Sequence, residues 1–256
     1  MTPAELYQAA IDDTLALLRA MPPSPGKTLS LSPEVAALLA QATAVPAPAA
    51  GPATVMQPER ALASGDVADA LSALSAVVRA CEKCSLCKTR TQTVFGAGNI
   101  QADLVFVGEA PGADEDAQGE PFVGKAGQLL TDIIVKGMKM KREDVYICNV
   151  LKCRPPDNRN PNPEEMSMCE PYLIQQLSLI RPKVICALGG VASKCLLQTE
   201  APVGQLRGRW HHYQGIPLRV TYHPAYLLRT PSDKGKVWED IQEVMKVLSG
   251  EIVPGV

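Results

Sequence analysis

Four short apolar runs, over 104–107, 145–150, 184–188 and 218–222, alternate with segments whose apolar residues recur at helical spacing, over 126–139, 163–179, 191–197 and 236–248. Strands separated by helix-length crossovers pair in parallel, and a parallel sheet has to be covered on both faces. The expected fold is therefore α/β: a three-layer α/β/α arrangement around a central, mainly parallel four-stranded sheet. A further helix is expected over 69–81, with Leu71, Leu74 and Val78 turned inward. In open sheets of this kind ligands sit beyond the carboxyl ends of the strands. Glu109 to Gly112 follow the first run, Asn149 lies near the end of the second, Gly189 and Gly190 follow the third, and His223 follows the fourth. One cleft is expected to gather them.

Ahead of these units the pattern changes. Thr2-Pro3-x-Glu5 reads as a capping box with proline at the first helical position, and Tyr7, Ile11, Leu15 and Leu18 form one stripe, so a short amphipathic helix is expected over 1–21. Prolines then recur at 22, 23, 25, 33, 46, 48, 52 and 58 among alanines, a composition that resists both helix and sheet. The expected organisation is a helix over 1–21, a flexible linker over 22–65 and a catalytic domain over 66–250. Docking of the first helix on a protein partner and packing on its own domain both stay open. The expected state is a monomer.

No apolar run approaches the roughly 20 residues of a membrane span, and the first residues are acidic where a leader would be basic. The expectation is a cytoplasmic protein without a membrane partner. Of 27 acids and 25 bases, seven and three lie in residues 1–75, leaving 20 acids and 22 bases beyond. That balance of about +2 is compatible with nucleic acid and too weak to argue for it.

Eight cysteines without an export signal read as metal ligands, redox groups or small buried side chains. Cys84-x2-Cys87 forms a clamp for one soft ion or one corner of a cluster, and Cys153 and Cys169 bracket a loop and open the helix that follows it. Cys81 makes a second pair of the same spacing, so spacing does not decide which of the three ligate. Nor does it separate a zinc tetrathiolate from a 4Fe-4S cluster. Cys148, Cys186 and Cys195 fall in apolar runs and read as buried hydrophobes.

Gly119-Glu-Pro-Phe-Val-Gly124-Lys125-Ala126 nearly matches the phosphate-binding loop G-x-x-x-x-G-K-[ST]. Ala126 supplies no hydroxyl for magnesium, and an acidic loop over 114–119 leads in where a hydrophobic strand should. A nucleotide hydrolase is the distant alternative.

The chain resembles the family 4 uracil-DNA glycosylases, the iron-sulfur branch of their superfamily, from about Cys84 to Leu248. The likeness runs through Val94-Phe-Gly-x-Gly-Asn99, Gly108-Glu-Ala-Pro-Gly112, Pro121-Phe-Val-Gly-Lys-Ala-Gly-Gln-Leu-Leu130, Asn149-Val-Leu-Lys-Cys-Arg-Pro-Pro156 and His223-Pro-Ala-Tyr-Leu-Leu-Arg229. It implies a 4Fe-4S cluster on Cys84, Cys87, Cys153 and Cys169, with Cys81 a bystander. It also implies that uracil, flipped out of single- or double-stranded DNA, is hydrolysed from its sugar. A protein that binds uracil-containing DNA without releasing the base is the second reading.

The resemblance also assigns roles. Gly108 and Ala110 border the base, Phe122 stacks on it, and the Asn149 amide accepts from N3-H while donating to O4, the reverse of what cytosine needs. His223 donates to O2 as negative charge develops there. An aspartate stands where this chain has Ala110 in the best-known uracil-DNA glycosylases, so Glu109 and Glu115 are the acids expected to orient water or stabilise the sugar cation. Gly112 replaces an aromatic ring that blocks the thymine methyl in other branches, which moves thymine exclusion elsewhere. Leu227, Leu228 and Arg229 are expected to fill the emptied stack and meet a phosphate, and Lys152, Arg154 and Arg159 to grip the DNA backbone.

Overall fold

A computed structural model describes residues 64–254 of the chain, all within the unit Pro58–Val256. The expected helix over 1–21 and nearly all of the linker fall outside the described residues.

The apolar runs form β2 (Leu104–Gly108), β3 (Tyr146–Asn149), β4 (Val184–Leu188) and β6 (Ile216–Thr221). These four pair in parallel in the order β3-β2-β4-β6. Two edge strands enlarge the expected four-stranded sheet to six: β1 (Ala97–Gly98) lies antiparallel to β3, and β5 (Trp210–Tyr213) antiparallel to β6. The first is two residues long, and the second, Trp-His-His-Tyr, carries no apolar alternation to betray it. Tyr213 pairs with Ile216 across Gln214 and Gly215, both at positive φ (49° and 81°), the backbone of a tight primed hairpin turn.

Every residue of β2 and β4 is buried because helices cover both faces. Alternate strand residues feed two cores. Val105, Val107, Ile185 and Ala187 face α1 (Ser64–Arg79), α4 (Pro163–Ile180) and α5 (Gly190–Leu197). Leu104, Phe106, Val184 and Cys186 face α3 (Lys125–Asp132), α7 (Pro224–Arg229) and α8 (Lys234–Leu248). The three layers are those read from the sequence.

Local chemistry explains the helix limits. Pro163 opens α4 at its first position, Glu165 accepts from the N-H of Asn162 at 2.8 Å, and Arg181 at φ 49° ends it. The helix α3 passes into a π turn over Ile133–Gly137, so the single helix expected over 126–139 is two segments. The acidic stretch expected as a loop is a helix, α2 (Ala113–Gln118). Glu115 caps its start by accepting from the Gly112 N-H at 3.0 Å, and the acidic first turn suits the positive end of the helix dipole, signals that apolar periodicity does not carry. The short α6 (Val203–Leu206) precedes β5. Buried Asp240 on α8 accepts from Arg219 and Thr221 of β6 at 3.0 and 2.9 Å, fixing the strand whose end leads to His223.

Candidate functional site

The tips of β2 and β3 are level, with Gly108 in register with Asn149. A methyl group built on Gly108 would strike the Oδ1 of Asn149 on one side and, at 2.5 Å, the Phe122 ring on the other. Only glycine allows the two side chains to meet over the strand end. The Phe122 and His223 rings lie 5.5 Å apart at 32°, and a Cβ on Gly189, after β4, would come within 2.9 Å of His223. Thus Gly108, Asn149, Gly189 and His223 stand at or just beyond the ends of the four parallel strands, with the Phe122 ring against Gly108 and beside His223.

Asn149 is 1% exposed, and its Oδ1 has no hydrogen-bond partner. A buried carbonyl oxygen left so forfeits about 1–3 kcal/mol, so this acceptor is open to a further donor. His223 caps α7: its Nδ1 accepts from the N-H of Ala225 at 3.1 Å. The residue is half-buried by surface, yet its imidazole is enclosed enough that burial, followed by the charge of Arg229, lowers its pKa to about 4. At neutral pH the ring is uncharged and carries its proton on Nε2.

Phe122 adopts φ 54°, a left-handed backbone that is costly for a bulky residue and has to be enforced by its surroundings. Three neighbours enforce it. Glu115 Oε1 accepts from the N-H groups of Val123 and Gly124, both at 2.9 Å, while its Oε2 accepts from Gly112 at 3.0 Å. Arg142 Nη2 donates to the carbonyls of Pro121 and Phe122 at 2.7 and 3.0 Å, and its Nη1 to Thr131 at 2.9 Å. Gly127 of α3 lets the Phe122 carbonyl approach where any Cβ would overlap it. Both oxygens of Glu115 are thereby engaged by backbone, a strut between the 108–112 and 121–124 loops and not a free acid. Gly112 is required by the same carboxylate, which would lie 2.7 Å from its Cβ.

Glu109 differs. Among the described residues nothing hydrogen-bonds its carboxylate, and burial raises its pKa. The Gly124 N-H that a phosphate loop would offer is committed to Glu115, and α2 precedes the loop in place of a strand. The nucleotide-hydrolase reading has no site here.

Cys84, Cys87, Cys153 and Cys169 line one solvent-open hollow, and Cys81 lines it too. None of the cysteines is in a disulfide. Among the described residues no three His, Cys, Asp or Glu side chains are grouped closely enough to hold a metal ion as they stand. Burial pushes the Cys153 thiol up to about 11 and raises Cys84 and Cys169, so these sulfurs ionise readily only beside positive charge. Arg90 Nη1 donates to Cys153 Sγ at 3.2 Å and the Lys152 N-H to Cys169 Sγ at 3.3 Å. Cys148, Cys186 and Cys195 are buried in the sheet and α5, as read from sequence.

Comparison with known proteins bears on the same stretch. The profile of the Uracil DNA glycosylase superfamily matches residues 95–242. A type-4 uracil-DNA glycosylase of Pyrobaculum aerophilum is 43% identical over 181 residues, 67% of this chain and 91% of that protein. That of Archaeoglobus fulgidus is 44% identical over 65% of this chain and 87% of its own, and that of Thermotoga maritima 43% over 68% and 92%. The chain belongs to the type-4 uracil-DNA glycosylases.

In this glycosylase the residues expected to meet DNA separate. Leu227 is 1% exposed and packs into the core beneath α7, which removes it from any wedge. Leu228 is 47% exposed and Arg229 is on the surface. Lys152 is withdrawn altogether: it is 1% exposed, and its amine is bound inside the fold. Arg159 forms a two-pronged pair with Glu165 at 2.9 and 2.6 Å, and Arg154 donates to Asn158 at 2.8 Å. Ala110 packs beside the thiol hollow.

Sequence reasoning missed Arg142. It sits in a Lys-Met-Lys-Arg-Glu-Asp run that reads as solvated charge. Gly127, a glycine inside a helix pattern, was the available sign of a close backbone approach.

Proposed function

We propose that this chain removes uracil from DNA, hydrolysing the N-glycosyl bond of a nucleotide turned out of the helix and leaving an abasic site, with residues 66–250 carrying the activity. The unpartnered, buried Oδ1 of Asn149 beside the Phe122 ring carries the reading. It fits the N3-H of uracil, while the amide nitrogen fits O4; cytosine, with an acceptor at N3 and an amine at C4, leaves both unmet. Phe122 supports the base face, a stacking worth about 1–3 kcal/mol.

As the bond breaks, negative charge grows on O2. A neutral His223 donates from Nε2 to that oxygen, and a preorganised donor in a dry pocket contributes about 3–4 kcal/mol. Neutrality suits this task, since a weak acid holds its proton while sharing it with the leaving base. Glu109, with its raised pKa and free carboxylate, orients the attacking water or faces the sugar cation. Glu115 sets the pocket walls.

The likeness to the iron-sulfur branch of the family, together with one hollow lined by Cys84, Cys87, Cys153 and Cys169, supports a 4Fe-4S cluster on these four, two of whose sulfurs already accept N-H donors. Such a cluster supplies cross-linking of the 153–169 loop to the 84–87 turn; hydrolysis requires no electron transfer. Leu228 and Arg229 enter the emptied stack, with Arg154 near a phosphate. A DNA substrate and thiols gathered in one hollow to hold a metal argue for the cytoplasm.

Release of free uracil from a uracil-containing oligonucleotide tests the reading. Binding of that oligonucleotide with no free base, at any time or concentration, would favour the binding-protein alternative.

A further inference from the structure

Lys152 was expected at phosphate and lies instead at the centre of the fold. Its Nζ donates to the backbone carbonyl of Asn149 at 2.7 Å and to Gln176 Oε1 at 2.5 Å. Among the described residues no carboxylate pairs with it. A methionine would fill the same space without the cost of burying an amine, so the amine is accounted for by what it holds.

What it holds is the base-reading turn. Beyond β3, Val150 and Leu151 donate to the carbonyls of Gly108 and Glu109, each at 3.0 Å, fixing one side of the turn to β2. The Lys152 amine reaches back three residues and fixes the other side at Asn149. Gln176 is itself held, donating to Phe95 O at 2.9 Å and to the Tyr146 hydroxyl at 3.2 Å. The Lys152 N-H meets Cys169 Sγ, and Cys153 follows directly, so the same residue is anchored in the thiol site.

We propose that Lys152 is a positioning residue for the Asn149 amide, and that through its backbone contact with Cys169 it ties the uracil-reading turn to the thiol site. This rests on the function proposed above. The amine acts on Asn149's backbone, so its removal lets the amide turn away from the base while Phe122 and His223 stay in place.

The experiment uses the full-length, cluster-loaded protein and compares wild type, Lys152→Met, Asn149→Ala and the double variant. It reads single-turnover uracil release, binding of free uracil by calorimetry, and visible absorbance per chain. Lys152→Met is expected to lose release and free-uracil affinity about tenfold or more with absorbance kept, and to add nothing to Asn149→Ala. Losses that multiply in the double variant, or a Lys152→Met protein at wild-type rate, overturn the inference. Should Lys152→Met not fold, Gln176→Leu frees one end of the amine: a several-fold loss absent in the Asn149→Ala background is expected, and a wild-type rate overturns it. An active wild type with unimpaired Lys152 and Gln176 variants sinks this inference alone; a wild type that releases no uracil sinks the function beneath it as well.

Discussion

The ring of His223 accepts a hydrogen bond at Nδ1 from the backbone of Ala225 at 3.1 Å, which leaves Nε2 as the only ring atom able to donate. The tautomer is therefore chosen by the first turn of α7 before substrate arrives.

With its pKa lowered to about 4, His223 is neutral from pH 5 upward, so no loss of uracil release attributable to it is expected until the pH nears 4. The folded protein binds this proton less well than the unfolded chain. Its contribution to stability is whole above about 6.5, falls progressively as pH drops toward 4, and is flat below. Thermal melts against pH check this: His223→Gln should flatten that part of the profile while lowering single-turnover release about 100- to 1000-fold.

Asn149→Leu is expected to separate function from stability. It removes an oxygen that has no partner, so the melting temperature should hold or rise. Uracil release should fall with the loss of about 1–3 kcal/mol of recognition, and preference for uracil over other bases should erode. A melt and a competition assay read the two effects.

Phe122 offers a backbone test. Both Phe122→Ala and Phe122→Gly remove the ring and should weaken binding alike, but φ 54° suits glycine and strains alanine. The glycine variant should be the more stable of the two by about 1 kcal/mol in denaturant titration. Equal stabilities would mean that Glu115 and Arg142 do not hold the loop in this conformation.

Adjacent leucines should behave as opposites. Leu227→Ala, in the core, is expected to cost about 2–5 kcal/mol of stability. Leu228→Ala should leave the melt unchanged and slow release from duplex more than from single strands, because only the duplex needs its stack filled.

Much of this was legible in the chain. The four parallel strands and the helices of both layers announce themselves by apolar spacing, since burial selects those residues. The edge strands β1 and β5 do not, being short or half-solvated, and α2 and α7 are fixed by capping groups, which periodicity ignores. Gly108, Phe122, Asn149 and His223, which the fold brings near one another, were singled out through motifs, yet their supports were not. Lys152 and Arg142 read as surface charge because nothing local to them in sequence reveals that Gln176 and the carbonyls of Asn149, Pro121 and Phe122 wait inside. Leu227 was misread because one helical step separates core from solvent.

The three N-H groups gathered by Glu115 join the 108–112 loop to the 121–124 loop. One carboxylate thus sets the spacing between the two loops. On the function proposed above, uracil would meet a slot whose two walls are tied together before it arrives.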